Sequence, residues 1–117
     1  IASKTTSFLI ESPSNSENIT LFFNTNTLTV NKIISILYSG GSGDTPSLTW
    51  LLKYGTGRND NGIEILYGGI TVTGINNPTY TDSFSNTNIS TGTFVWMQTS
   101  GNISGIISHF QGNIYYN

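Results

Sequence analysis

The stretch Ser47-Leu48-Thr49-Trp50-Leu51-Leu52-Lys53-Tyr54 decides how this chain reads. Leu48, Trp50, Leu52 and Tyr54 fall on one side of an extended chain. Ser47, Thr49 and Lys53 fall on the other, with Leu51 the exception. Successive strand side chains point to opposite faces, so this alternation predicts a half-buried β-strand. Upstream, residues 27–39 place Leu28, Val30, Ile34, Ile36 and Tyr38 on one face. Lys32 interrupts that face and predicts a bulge or a strand end beside it. Further strands are expected at residues 7–11, 19–24, 63–67, 70–74, 80–84, 94–99, 103–110 and 114–116. The run Phe94-Val95-Trp96-Met97 is apolar on both faces and predicts a central strand covered on both sides, by a neighbouring subunit for instance.

Turn chemistry marks the gaps. Residues 40–44 (Gly-Gly-Ser-Gly-Asp) predict a mobile loop, and Asn61-Gly62 a tight turn. Gly68-Gly69 predicts a hairpin, and Pro78, lacking an N–H, ends a strand. No long stretch carries an apolar stripe of helical period. The fold expected is all-β: a β-sandwich, jelly-roll-like, of about 8–10 antiparallel strands. Residues 19–117 form the single β-sandwich domain in this reading, and residues 1–18 an N-terminal arm or first strand.

Composition narrows the function classes. The 117 residues carry only four Lys or Arg and six Asp or Glu, against 15 Ser, 17 Thr, 14 Asn and 13 Gly. Lys4, Lys32, Lys53 and Arg58 are scattered, whereas nucleic-acid binding needs clustered cations. Nucleic acid is therefore not an expected partner. With no Cys, disulfides and thiol catalysis are excluded. No run approaches the roughly 18 apolar residues of a spanning helix, so no membrane partner is expected. Ile1 stands where an initiating Met would, which suggests processing, a piece of a longer chain, or a numbering that omits the first residues.

The search for chemistry finds no constellation. His109 is the only His and reads as a strand residue at an interface. The six carboxylates show no spacing that selects an acid–base pair. Asn59-Asp60-Asn61-Gly62 lacks the alternating acids of a calcium loop and reads as a turn. The sequons at Asn18, Asn88 and Asn102 are no more than such a composition yields by chance. No cofactor and no catalytic residue is expected. Trp50 and Trp96 read as core residues, in phase with apolar neighbours. Phe8, Leu9, Ile10, Tyr115 and Tyr116 are the candidate interface residues. Tyr54, Arg58, Asp60, Asn61 and Tyr80 are the candidate contacts if the domain binds a glycan instead.

Three segments carry a resemblance. They are Ser16-Glu17-Asn18-Ile19-Thr20-Leu21-Phe22-Phe23, then residues 45–58 around Thr49-Trp50 and Tyr54-Gly55-Thr56-Gly57-Arg58, then Gly92-Thr93-Phe94-Val95-Trp96-Met97-Gln98-Thr99-Ser100-Gly101. Together with the Ile63-Glu64-Ile65 to Thr71-Val72-Thr73 run, they resemble a β-sandwich domain recurrent in virion proteins of tailed bacteriophages, especially marine ones. The resemblance spans residues 16–110. Tyr54 and Gly57 depart from it, standing where the pattern more often has His and Asp. It implies a non-enzymatic virion structural protein at the virion surface. The expectation built on it is a capsid decoration (cement) protein, a homotrimer that contacts itself and a phage major capsid protein or tail protein. The N-terminal arm would add a strand to a neighbouring subunit or to the capsid. The alternative is a glycan-binding or adhesion module of a tail fibre or bacterial surface protein.

Overall fold

The computed structural model describes residues 4–39, 45–101 and 103–117. The loop expected at residues 40–44 and the sequon at Asn102 lie outside them. Among the described residues ten strands follow one another: β1 (Lys4–Glu11), β2 (Asn18–Asn24), β3 (Leu28–Tyr38), β4 (Ser47–Gly55), β5 (Ile63–Glu64), β6 (Ile70–Thr73), β7 (Thr79–Thr81), β8 (Asn88–Ile89), β9 (Thr93–Thr99) and β10 (His109–Tyr116). They form two five-stranded sheets. The first runs β1-β10-β3-β7, with β8 also on β3; the second runs β2-β9-β4-β5, with β6 also on β4. Every pairing is antiparallel. The pairs are nested, β1 with β10, β2 with β9, β3 with β8, β4 with β5 and β6, and they alternate between sheets. That is a long hairpin rolled into a sandwich, a jelly roll, as the sequence leads one to expect.

The inner faces supply the core. Leu48, Trp50, Leu52 and Tyr54 of β4 point inward as their alternation requires. Val95 and Met97 of β9 join them, and Ile33, Leu37, Phe110 and Ile114 come from the first sheet. Phe8, Gly112 and Ser35 stand in one row across β1, β10 and β3. The two small residues of this row leave room for the Trp50 indole from the opposite sheet. Trp50 Nε1 donates to Ser35 Oγ at 3.1 Å, which satisfies the one polar group of a fully buried ring. Phe8 lies over Gly112 and meets Trp50 and Phe110 edge-on, with ring centroids 5.2 and 5.3 Å away.

The bulge expected near Lys32 exists, and it does more than interrupt a face. Tyr115 pairs with Lys32 and Tyr116 with Val30, so Asn31 is an extra residue in β3. A one-residue slip exchanges the two faces of everything beyond it. Leu28 and Val30 point inward before the bulge; Ile33, Ser35 and Leu37 do so after it. Ile34, Ile36 and Tyr38, which simple alternation groups with Leu28, therefore point outward.

Other expectations need correction. Gly68-Gly69 does not close a hairpin: β5 and β6 lie end to end along β4, at Lys53–Tyr54 and at Ser47–Trp50. The strands expected at residues 103–110 and 114–116 are one strand, β10. Gly112 is not a break within it but the site where the Phe8 ring lies close. Residues 103–108 are irregular, tied in by hydrogen bonds of 2.9 and 3.1 Å between Ser104 and Ser47.

A methyl added at Gly112 would meet the Phe8 ring at 2.4 Å. Gly112→Ala is therefore expected to cost about 1–3 kcal/mol through overpacking. In a Phe8→Leu background the cost should shrink. Denaturant unfolding of the single and double variants checks the coupling, and simple additivity would contradict it.

Candidate functional site

The outer face of the first sheet is the candidate site. Its side chains come from the outward phases of β1, β10, β3 and β7. Four rows cross it: Glu11, His109, Tyr38; Leu9, Gln111, Ile36; Ser7, Asn113, Ile34, Tyr80; and Thr5, Tyr115, Lys32. Leu9 is 59% exposed and Tyr80 67%. Ile34 and Ile36 between them are half-buried. Leu9, Ile36, Tyr38, Asn76, His109 and Gln111 line a hollow of about 190 Å³. At one end His109 Nε2 lies 3.9 Å from Glu11 Oε1, and its ring centroid is 5.7 Å from that of Tyr38. At the other end the Lys32 ammonium sits 4.8 Å over the Tyr115 ring. Between single charges at its two ends the face interleaves Leu9, Ile34, Ile36 and Tyr80 with the polar Ser7, Gln111 and Asn113.

The outer face of the second sheet is different because the chain covers part of it. Trp96 points outward between Thr20 and Lys53, yet it is only 1% exposed. The β4–β5 loop folds over it. Arg58 places its guanidinium 4.4 Å from the indole centroid, donates from Nε to Thr20 Oγ1 at 2.8 Å, and bonds Asn18 Oδ1 through Nη2. Gly62, at φ +77°, lies so close to the ring that a Cβ there would meet it at 2.5 Å. Trp96 Nε1 donates to Gln98 Oε1 at 3.2 Å. Trp96 is therefore buried as expected, but outside the sandwich core. The cover expected over β9 comes at Trp96 from this loop and not from a neighbour.

Asp60 keeps the loop in shape. Its Oδ2 accepts from Gly57 N at 3.1 Å and from Thr56 Oγ1 at 3.3 Å. Lys53 Nζ donates to the Asn61 carbonyl at 3.0 Å. Beside the loop, at one end of the sandwich, opens a cleft of about 360 Å³. Tyr54, Gly55, Thr56, Asp60, Gly62, Ile63, Ser90, Thr91 and Thr93 line it. Burial, with a smaller contribution from Tyr67, pushes the Tyr54 phenol above its ordinary value near 10.

The candidate residues divide accordingly. Leu9 and Tyr115 lie on the outward face, whereas Phe8, Ile10 and Tyr116 are in phase with Phe110 and Ile114 and turn inward. Of the glycan candidates, Tyr54 and Asp60 meet in the end cleft. Arg58 is committed to Trp96, Asn61 lies outside the cleft lining and accepts from Lys53 through its backbone carbonyl, and Tyr80 belongs to the other sheet. Alternation misses Ile34, Ile36 and Tyr38 as surface residues. The available signal was the stretch 33–38, apolar on both faces just past the predicted bulge.

No known family model matches the chain, and no curated protein sequence matches it. Solved structures of similar shape exist. A chain from the capsid of Ralstonia phage GP4 superposes with a TM-score of 0.56 at 15% sequence identity, covering 98% of this chain and 83% of that one. A chain of desmodium yellow mottle tymovirus covers 97% of this chain and 80% of its own length, at 10% identity and a TM-score of 0.35. The first likeness establishes a shared fold.

Arg58→Ala should uncover Trp96, lowering stability by about 1 kcal/mol and exposing the indole to acrylamide quenching. Arg58→Lys should restore little, since an ammonium cannot reproduce the planar fork. The raised Tyr54 phenol makes a second expectation. Its contribution to stability is complete below the ordinary phenol value and is lost as pH rises past it, because the unfolded chain ionises first. Denaturant midpoints on either side of that value read the fall, and Tyr54→Phe should remove this part of it.

Proposed function

We propose that this protein is a non-enzymatic structural component of a bacteriophage virion, a decoration protein that acts at the shell surface as a trimer. The observation that carries the proposal is the uncovered apolar face of the first sheet on a fold shared with a chain of a phage capsid. The second sheet buries Trp96 under its own loop and leaves Phe23, 50% exposed, against Phe94, while the first leaves Leu9, Ile34, Ile36, Tyr38 and Tyr80 to be covered. A surface of hydroxyls and amides around that face sheds little solvation energy when it packs, since few charges are desolvated. Copies arranged about a symmetry axis would bury the face and bridge neighbouring shell subunits, adding contacts that internal pressure must break. The edge of β1 adds a second means of attachment. Ser12 N bonds Ser108 O, so alternation turns the amides of Thr5, Ser7 and Leu9 to the free edge, where a strand of a neighbour can pair.

The alternative reading, a glycan-binding module, finds its support in the end cleft over Tyr54 rather than in Tyr80. Both roles can coexist, because the cleft and the bare face occupy different parts of the surface.

The double variant Leu9→Glu, Tyr80→Glu tests the proposal. Both side chains are exposed, so the melting temperature should stay near that of the parent protein. Light scattering should find the parent chain trimeric and saturating expanded empty shells. The variant should be monomeric and bind shells at least about tenfold more weakly. A variant that assembles and decorates like the parent would refute the role of this face.

A further inference from the structure

We infer that the end cleft is a binding site for a neutral saccharide. The inference goes beyond the structural role proposed above and does not depend on it. Four properties of the cleft converge. Its volume, about 360 Å³, lies at the low end of the range of small-molecule sites and suits one or two sugar rings. Its walls are chemically divided. Ile63, 47% exposed, and the glycines Gly55 and Gly62 offer apolar surface to the C–H face of a sugar. Asp60 and the hydroxyl residues Thr56, Ser90 and Thr91 surround the opening, and Tyr54 lies buried beneath.

Both walls are held before any ligand arrives. On one side Asp60 Oδ2 ties down Gly57 and Thr56, leaving Oδ1 as an acceptor for sugar hydroxyls. On the other side Asn24 accepts from Gly92 N through its carbonyl at 2.7 Å and donates from its side chain to Ser90 O at 2.9 Å. Thr91 Oγ1 donates to Thr25 O, and Thr93 Oγ1 to Ser90 O, both at 2.8 Å. A preformed site loses little ordering entropy on binding, which matters for a ligand this small.

Charge selects the class of ligand. Asp60 is the charged residue of the lining, and the two nearby cations are engaged elsewhere, Arg58 on Trp96 and Lys53 on the Asn61 carbonyl. An anion such as phosphate or a sialic acid would meet a carboxylate with no cation in the lining itself. A neutral sugar meets an acceptor for its hydroxyls, the usual use of a carboxylate in such a site.

The test is a two-dimensional ¹H–¹⁵N titration of the full chain with glucose, galactose, mannose, rhamnose and N-acetylglucosamine, each run separately, with inorganic phosphate and sialic acid as anionic probes. At least one neutral sugar should shift the amides of Gly55, Gly62 and Thr91 saturably, with a Kd of about 1 mM, as a dozen non-hydrogen atoms can supply. Asp60→Asn keeps an oxygen for the loop and should weaken binding about tenfold. Ser90→Tyr should fill the cleft and abolish binding. Because it alters an exposed side chain outside the loop, it keeps the test valid should Asp60→Asn disturb Gly57. Retained binding in a folded Ser90→Tyr variant, shifts centred elsewhere, or saturation by the anions alone would overturn the inference. So would the absence of a saturable shift with any of the five sugars.

Discussion

The hydrogen bond from Trp50 Nε1 to Ser35 Oγ fixes more of this molecule than any other single contact. A buried indole N–H without an acceptor costs on the order of 1–3 kcal/mol. The acceptor must come from the opposite sheet, and it must be small, because the indole fills the space above it. Ser35 meets both demands only if it faces inward. Leu28 and Val30, on the same strand, must also face inward to close the core. Alternation cannot place positions 28, 30 and 35 on one side without an extra residue, and Asn31 is that residue. The outward face of the first sheet is set by the same demand. Once Ser35 faces in, Ile34, Ile36 and Tyr38 must face out. The apolar surface proposed for assembly is thus tied to the way the core accommodates one tryptophan.

This dependence also explains what could be read from the chain. The β4 alternation was legible because it runs unbroken from Leu48 to Tyr54, with every apolar residue but Leu51 on the buried side. The all-β class followed from such runs and from the turn residues between them. The face of β3 was harder. Lys32 signalled a bulge, but its consequence depends on which residues must meet Trp50 across the sandwich, a tertiary requirement that no local pattern contains. A glycine inside a strand can mark a break or a close approach, and at Gly112 only the position of Phe8 distinguishes them. Trp96 looked like core because it is apolar and in phase with Phe94. What covers it is Arg58, three positions past the end of β4, in a loop whose fold depends on Asp60 and Gly62. In the end cleft, Tyr54 and Asp60 were anticipated, while Ser90, Thr91 and Thr93 came from a distant segment brought close by the pairing of β9 with β4.

Both outer faces meet the same physical problem, and the second solves it only at Trp96, since Phe23 on that face stays exposed. A large apolar side chain on the outside of a sheet can be covered by the chain's own loop, as Arg58 and Gly62 cover Trp96, or left for a partner. The second option exposes a surface prone to association, which natural sheets usually blunt with charge. Here the charges stay at the ends of the face, at Glu11 and Lys32, and between them only the uncharged Ser7, Gln111 and Asn113 interrupt the apolar residues. In a chain so poor in charged residues, that arrangement fits a protein whose working state is an assembly.

Oxidative footprinting of tyrosines in the isolated chain and in its assembled, shell-bound form tests this account most directly. Tyr67 provides the internal control, since it is as exposed as Tyr80 but lies away from the first sheet, in the loop between β5 and β6. The account predicts that Tyr38 and Tyr80 become protected on assembly while Tyr67 stays reactive. Continued reactivity of Tyr38 and Tyr80 in the assembled state, or equal protection of all three, would contradict it.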